Sequence, residues 1–126
     1  MKKLVKILPY KKIFLNACAA GALYGTWAYL ANDKGALVSA VTQGSMSFSF
    51  TFFVAFYLEL VHRKASGFTA LVLYCVSLIV FLTLMQMSIH YIVDTQNIIA
   101  TILPSVVIGS IYILFYVLHL KKGMQG

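Results

Sequence analysis

Four stretches of the chain, residues 13–32, 35–58, 65–93 and 95–120, contain no Asp, Glu, Lys or Arg. A helix needs ~20 mostly apolar residues to cross the hydrocarbon layer of a bilayer, and each stretch supplies them. Backbone polar groups in hydrocarbon have to be satisfied inside a helix or a closed barrel. Ser45, Ser47, Ser49 and Thr51 alternate with Met46, Phe48, Phe50 and Phe52 in the manner of a strand. A barrel would require many shorter alternating segments, and the other three runs do not alternate. The expected fold is therefore an all-α membrane protein, with four transmembrane helices near residues 13–31, 36–60, 67–92 and 98–120. The short connections between them imply an up-down antiparallel bundle. Composition agrees: the chain is 61% hydrophobic and 10% charged, whereas a soluble domain is ~25% charged.

The charged residues divide the chain into a basic leader (residues 1–12), a transmembrane domain (13–120) and a tail (121–126). Lys2, Lys3, Lys6, Lys11, Lys12, Arg63, Lys64, Lys121 and Lys122 lie on one side of the spans, and Lys34 alone lies on the other. The positive-inside rule then places both termini in the cytoplasm, N-in/C-in, for a multi-pass protein of a bacterial cytoplasmic (inner) membrane. Lys11 and Lys12 interrupt what would otherwise be a signal-peptide core, so the first helix is expected to be retained. The net charge of +7 sits at the ends of apolar runs rather than along a polar face. It predicts contact with membrane lipid headgroups and no nucleic-acid partner.

Few residues inside the spans carry chemistry. No HExxH, GxSxG, GxGxxG or Walker sequence occurs, so neither an enzyme nor a cofactor site is expected. Cys18 and Cys75 lie in apolar runs, and no Cys/His cluster suggests a metal. In the second helix Ala40, Gly44, Ser47, Thr51, Ala55 and Glu59 follow spacings of four and three and share a face, with Gln43 at its border. In the third, Gln86, His90 and Asp94 align, and Asp94 could orient the imidazole. In the fourth, Thr101, Ser105, Gly109, Tyr112, Tyr116 and His119 form a stripe, and Pro104 is expected to kink the helix.

Counting the rise per residue puts Tyr24, Gln43, Gln86 and Ser105 in one layer roughly 10 Å inside the outer boundary. Gln43, Ser47, Thr51, Glu59, Gln86, His90, Asp94, Ser105, Tyr112 and Tyr116 are thus candidates for a polar pathway or for interhelical contacts. Gly21 and Gly25 form a GxxxG, and with Gly44 and Gly109 they are candidates for close helix packing. Trp27, Tyr24, Tyr29 and Tyr91 cluster where an outer aromatic belt would lie.

Families of similar length offer no assignment. The small multidrug resistance transporters carry a membrane-embedded Glu in their first helix, and residues 13–31 contain no acid. Two functions fit the remaining pattern. The first is a small oligomeric transporter, lipid-linked-substrate flippase or channel subunit. The second is a non-transport accessory or assembly subunit of a larger membrane complex. Either implies a homo-oligomer or a larger membrane-protein partner.

Overall fold

Four helices follow one another in the computed structural model: α1 (Tyr10–Ala31), α2 (Ala36–Lys64), α3 (Phe68–Ile92) and α4 (Ile98–Gln125). It describes the backbone of residues 10–64 and 66–125, and their side chains except those of residues 62, 63, 117 and 119–125. Most of the basic leader lies outside the described residues. All four helices are long and apolar enough to cross a membrane, and the alternating Ser/Phe stretch is helical within α2. Leu15, Leu30, Leu37, Leu73, Ile92 and Phe115 point outward and are exposed. Helices that are apolar on their outward faces as well as inside belong in lipid, and the chain is a small four-helix integral membrane protein.

The helices overrun the charge-free stretches. α1 begins at Tyr10, α2 continues to Lys64, and α4 runs through Lys121 and Lys122 to Gln125. A charge count marks where hydrocarbon ends. It does not mark where the helical hydrogen bonds end, because Lys and Arg are good helix formers.

α1 and α2 form the closest pair. A Cβ built on Gly21 would lie 3.1 Å from the Gly44 carbonyl oxygen, one on Gly44 3.0 Å from the Gly21 oxygen, and one on Gly25 3.1 Å from the Ala40 oxygen. The two backbones thus touch where only hydrogen fits, the arrangement that small residues four apart permit. Phe14 closes the terminal side of this seam edge-on to Phe48, with ring centroids 6.0 Å apart. Gly109 takes no part in such packing, since nothing lies within 4 Å of a Cβ built there. Its expected packing role is replaced by a place on a cavity wall.

α3 buries one stripe, Leu71, Cys75, Leu78, Leu82, Gln86 and His90, at spacings of three and four. The apolar part of the stripe packs with Leu58, Val61 and Ile113 to make the core near the terminal end of the bundle. The polar part, Gln86 and His90, lies toward the loops joining α1 to α2 and α3 to α4, called the distal end below.

Two details of the distal end shape the site. α3 stops with Asp94 at φ 57°, and its last carbonyls are taken by Thr95 N–H to His90 O (2.9 Å) and Asp94 N–H to Tyr91 O (3.2 Å). These two bonds make a Schellman motif with Asp94 in the left-handed position. In α4, Pro104 lies inside the helix and has no N–H to offer the carbonyl four residues back, that of Ala100. The Trp27 indole Nε1–H crosses from α1 and donates to that oxygen at 2.7 Å.

Candidate functional site: a buried amide network above a lateral cavity

Gln43 is fully buried and sits at the centre of a polar cluster drawn from α2, α3 and α4. Its Nε2 donates toward Ser47 Oγ (3.1 Å), Gln86 Oε1 (3.0 Å) and Ser105 Oγ (3.2 Å), two hydrogens shared among three oxygens. Its Oε1 lies 2.8 Å from His90 Nε2. An acceptor facing Nε2 requires that nitrogen to carry the proton. Nδ1 is then left to accept from the Thr95 hydroxyl at 2.6 Å, and Thr95 Oγ1 accepts in turn from Ser39 Oγ at 3.2 Å. Ser105 Oγ donates to Gln86 Oε1 at 2.7 Å, with the Ile102 carbonyl as its other acceptor at 2.9 Å. The directions are consistent from Ser39 through to Gln86 with a neutral imidazole. Among the described residues no fully enclosed side-chain nitrogen or oxygen atom lacks a partner.

A second polar cluster ties α1 to α4 at the same end. Asn32 Nδ2 donates to Thr101 Oγ1 (2.7 Å) and to the Ala28 carbonyl (2.7 Å), while Asn32 Oδ1 accepts from Asn97 N–H (2.8 Å). Asn97 Nδ2 returns a bond to the Ala31 carbonyl (2.8 Å). Gln96 Oε1 accepts from the backbone N–H groups of Asp33 and Lys34. Every hydrogen bond joining α1 to α4 among the described residues lies at this end.

Farther from the distal end, α1 and α4 line opposite walls of a cavity of about 470 Å³ that also touches α2 and α3. Its mouth lies between α1 and α4, where Asn16, Ala19, Leu23, Ile108 and Tyr112 line the cavity and are also exposed. The mouth opens on the outward face of the bundle. The volume is in the range that holds a small ligand. The wall is mostly apolar (Ile13, Phe50, Val54, Ile79, Leu82, Ile113); a polar group gathers toward the distal end at Tyr24, Ser47, Thr51, Gln86 and Ser105, and Asn16, Thr83, Ser110 and Tyr112 are scattered along the rest. Among the described residues no Asp, Glu, Lys, Arg or His lines it.

Of the candidate residues, Gln43, Ser47, Gln86, His90 and Ser105 are in direct contact, and Thr51 bonds back to the Ser47 carbonyl at 2.8 Å. Tyr24 lies on the cavity wall beside this layer, and Tyr112 is at the mouth. Glu59 pairs with the Tyr116 hydroxyl nearer the other end of the bundle, apart from the network. Asp94 does not orient His90. The left-handed turn leaves it exposed, and Thr95 supplies the hydroxyl instead.

The single polar face expected on α2 is in fact two. Ala40 and Gly44 press on α1, while Ser39, Gln43 and Ser47 face the other helices. The i, i+4 spacing of Ser39, Gln43 and Ser47 was a signal for this second stripe. Spacing put Thr101 on the stripe of the fourth helix, but none pointed to Thr95 or Asn32, and the partners of all three are set only by tertiary folding. Among the described residues no three His, Cys, Asp or Glu side chains gather to hold a metal. No family model, curated protein or solved structure matches this chain.

Proposed function

We propose that this protein is a lipid-handling transporter of the flippase class, which takes the apolar part of an amphiphile from the bilayer into the cleft between α1 and α4. The observation that carries this reading is the cavity itself. It is open sideways between two helices, apolar along most of its wall, and has its densest polar group toward the distal end. A water-filled channel is a poorer fit, because the buried Gln43 cluster and the Asn32–Thr101 tie close the distal side. A cleft with one open side is half of an enclosed route, so a second copy or a larger membrane partner would complete it. With the basic ends in the cytoplasm, Lys11 and Lys12 would stand near the terminal end of the cleft, where they could attract an anionic headgroup before the lipid enters.

Reconstitution of the full chain in vesicles carrying fluorescent phospholipids or polyprenyl-phosphate lipids tests the reading by quencher access. Accelerated exchange between leaflets is expected, and Gly109→Trp, which fills the cavity from a position with open space around its Cβ, should abolish it. Exchange no faster than in empty vesicles, together with copurification of a stable larger complex, would favour the accessory-subunit reading.

A further inference from the structure

The direction of the hydrogen bonds above the cavity has a chemical consequence at Gln86. Its side chain is 4% exposed. Its Oε1 is occupied by Gln43 Nε2 and Ser105 Oγ, which fixes the amide so that Nε2 points the other way. That nitrogen has no hydrogen-bond partner among the described residues, yet it is not a fully enclosed atom. The open space that Gln86 borders is the cavity. The orientation is held from behind: Thr95 donates to His90 Nδ1, His90 Nε2–H donates to Gln43 Oε1, and Gln43 Nε2–H donates to Gln86 Oε1. Reversing the Gln86 amide would set two nitrogens against each other. Ser47, 6% exposed, accepts from Gln43, and its hydroxyl proton has no acceptor among the described residues. Two donors therefore stand together at the distal end of a largely apolar cavity, whose other polar lining groups, Asn16, Thr83, Ser110 and Tyr112, lie farther along its wall.

We infer that the cavity binds a molecule with a linear apolar chain and a neutral oxygen acceptor, a carbonyl or hydroxyl, seated against Gln86 Nε2 and Ser47 Oγ. This rests on the reading of the cleft as a lipid site and specifies what enters it. A bare hydrocarbon would leave both donors without an acceptor in a low-dielectric pocket, which is unfavourable. A phosphate or carboxylate would arrive at a wall with no cationic side chain among the described residues to compensate its burial. An ester carbonyl of a glycerolipid and the hydroxyl of an isoprenoid alcohol share the required chemistry.

Photolabelling of the full chain in nanodiscs tests the inference, using a diazirine-bearing palmitate methyl ester with labelled positions mapped by mass spectrometry. Labelling of α3 and α4 cavity residues is expected, and methyl palmitate should displace the probe at about three- to tenfold lower concentration than an alkane of equal length, the value of one hydrogen bond. Hexadecyl phosphate should displace it no better than the alkane. Gln86→Leu should retain labelling and erase the preference for ester over alkane. The wild-type competition decides the matter if that variant does not fold, and Ser47→Ala gives an independent partial loss. Competition by a diacylglycerol against a polyprenol identifies which source of oxygen is preferred, and displacement by either ahead of the alkane supports the inference. Equal displacement by ester and alkane, with labelling still lost in Gly109→Trp, would overturn the oxygen-acceptor inference and leave the lipid cleft standing. Labelling unaffected by Gly109→Trp would remove the cleft reading and this inference with it.

Discussion

The indole nitrogen of Trp27 is bonded at 2.7 Å to the carbonyl oxygen of Ala100, the acceptor that Pro104 leaves without its helical partner. The contact is a repair across helices: α4 gives up one internal bond, and α1 supplies its replacement. The repair predicts a specific coupling. Trp27→Phe should lower stability by about 0.5–1.5 kcal/mol by orphaning that carbonyl. In a Pro104→Ala background the residue 104 N–H can fill the role, and the same Trp27→Phe change should cost markedly less. A double-mutant cycle by reversible unfolding in mixed micelles checks this, and additive effects would mean that the indole bond and the missing N–H are unrelated.

Glycine substitutions should separate packing from cavity lining. Gly44→Ala places a methyl 3.0 Å from the Gly21 carbonyl oxygen, a backbone atom that cannot move without shifting α1. Overpacking of this kind typically costs about 1–3 kcal/mol. Gly109→Ala meets open space and gains helix propensity, so it should be neutral or stabilising by up to about 1 kcal/mol. Compared by thermal unfolding, Gly44→Ala should melt below wild type and Gly109→Ala at or above it.

The four spans could be read from the sequence because hydrocarbon excludes charge, and that exclusion is visible one residue at a time. Small residues at Gly21, Gly25 and Gly44 were legible for a similar reason, since only glycine permits backbone contact. The choice of helix face was harder. Ala40, Gly44 and Ser47 look like one stripe by spacing, but Gly44 faces α1 while Ser47 faces the cavity, because a helix inside a bundle has neighbours on more than one side. The role of Thr95 was invisible, as it depends on Asp94 taking a left-handed turn that pattern does not reveal. Trp27 reads as an interfacial aromatic, and its partner is a carbonyl exposed by a proline on another helix.

The Schellman turn can be tested at Asp94. Left-handed backbone is tolerated by Gly, Asn and Asp and resisted by β-branched residues. Asp94→Gly and Asp94→Asn should therefore preserve or slightly raise stability, whereas Asp94→Val should lower it by about 1–2 kcal/mol. Because Thr95 follows directly, Asp94→Val should also disturb the His90 ring. The His90 imidazole signals in an NMR spectrum should move in the valine variant and stay in place in the glycine variant.

Orientation is expected from the basic residues and can be measured directly. In a background with Cys18 and Cys75 replaced by alanine, a cysteine at the exposed position of Asp33 should react with a membrane-impermeant maleimide added to intact cells. One at the exposed position of Lys64 should react only after the membrane is opened. The reverse pattern would put both termini outside and would move Lys11 and Lys12 to the far leaflet, where an anionic headgroup would have to be met from the other side.

The amide network makes the strongest demand on stability and on the binding site together. Gln43→Leu removes the acceptor of His90 and the donor to Gln86 and Ser105 at once, leaving buried groups unpaired. Loss of about 1–3 kcal/mol follows from that desolvation. His90→Leu removes one partner only. The double variant then has no imidazole for the missing carboxamide to strand, so it should be less damaged than the sum of the two singles. The coupling should be about 0.6–1.7 kcal/mol, the range for hydrogen bonds between membrane helices. Gln43→Leu also loosens the Gln86 amide, because one of the two donors that hold its oxygen is gone and the other, the Ser105 hydroxyl, can turn to the Ile102 carbonyl. Stability and ligand preference should therefore part company. Gln43→Leu should lose selectivity for an oxygen-bearing chain, whereas Gly44→Ala, destabilised through the seam with α1, should keep it. A variant of Gln43 that retains full selectivity would show that Gln86 is oriented by Ser105 alone.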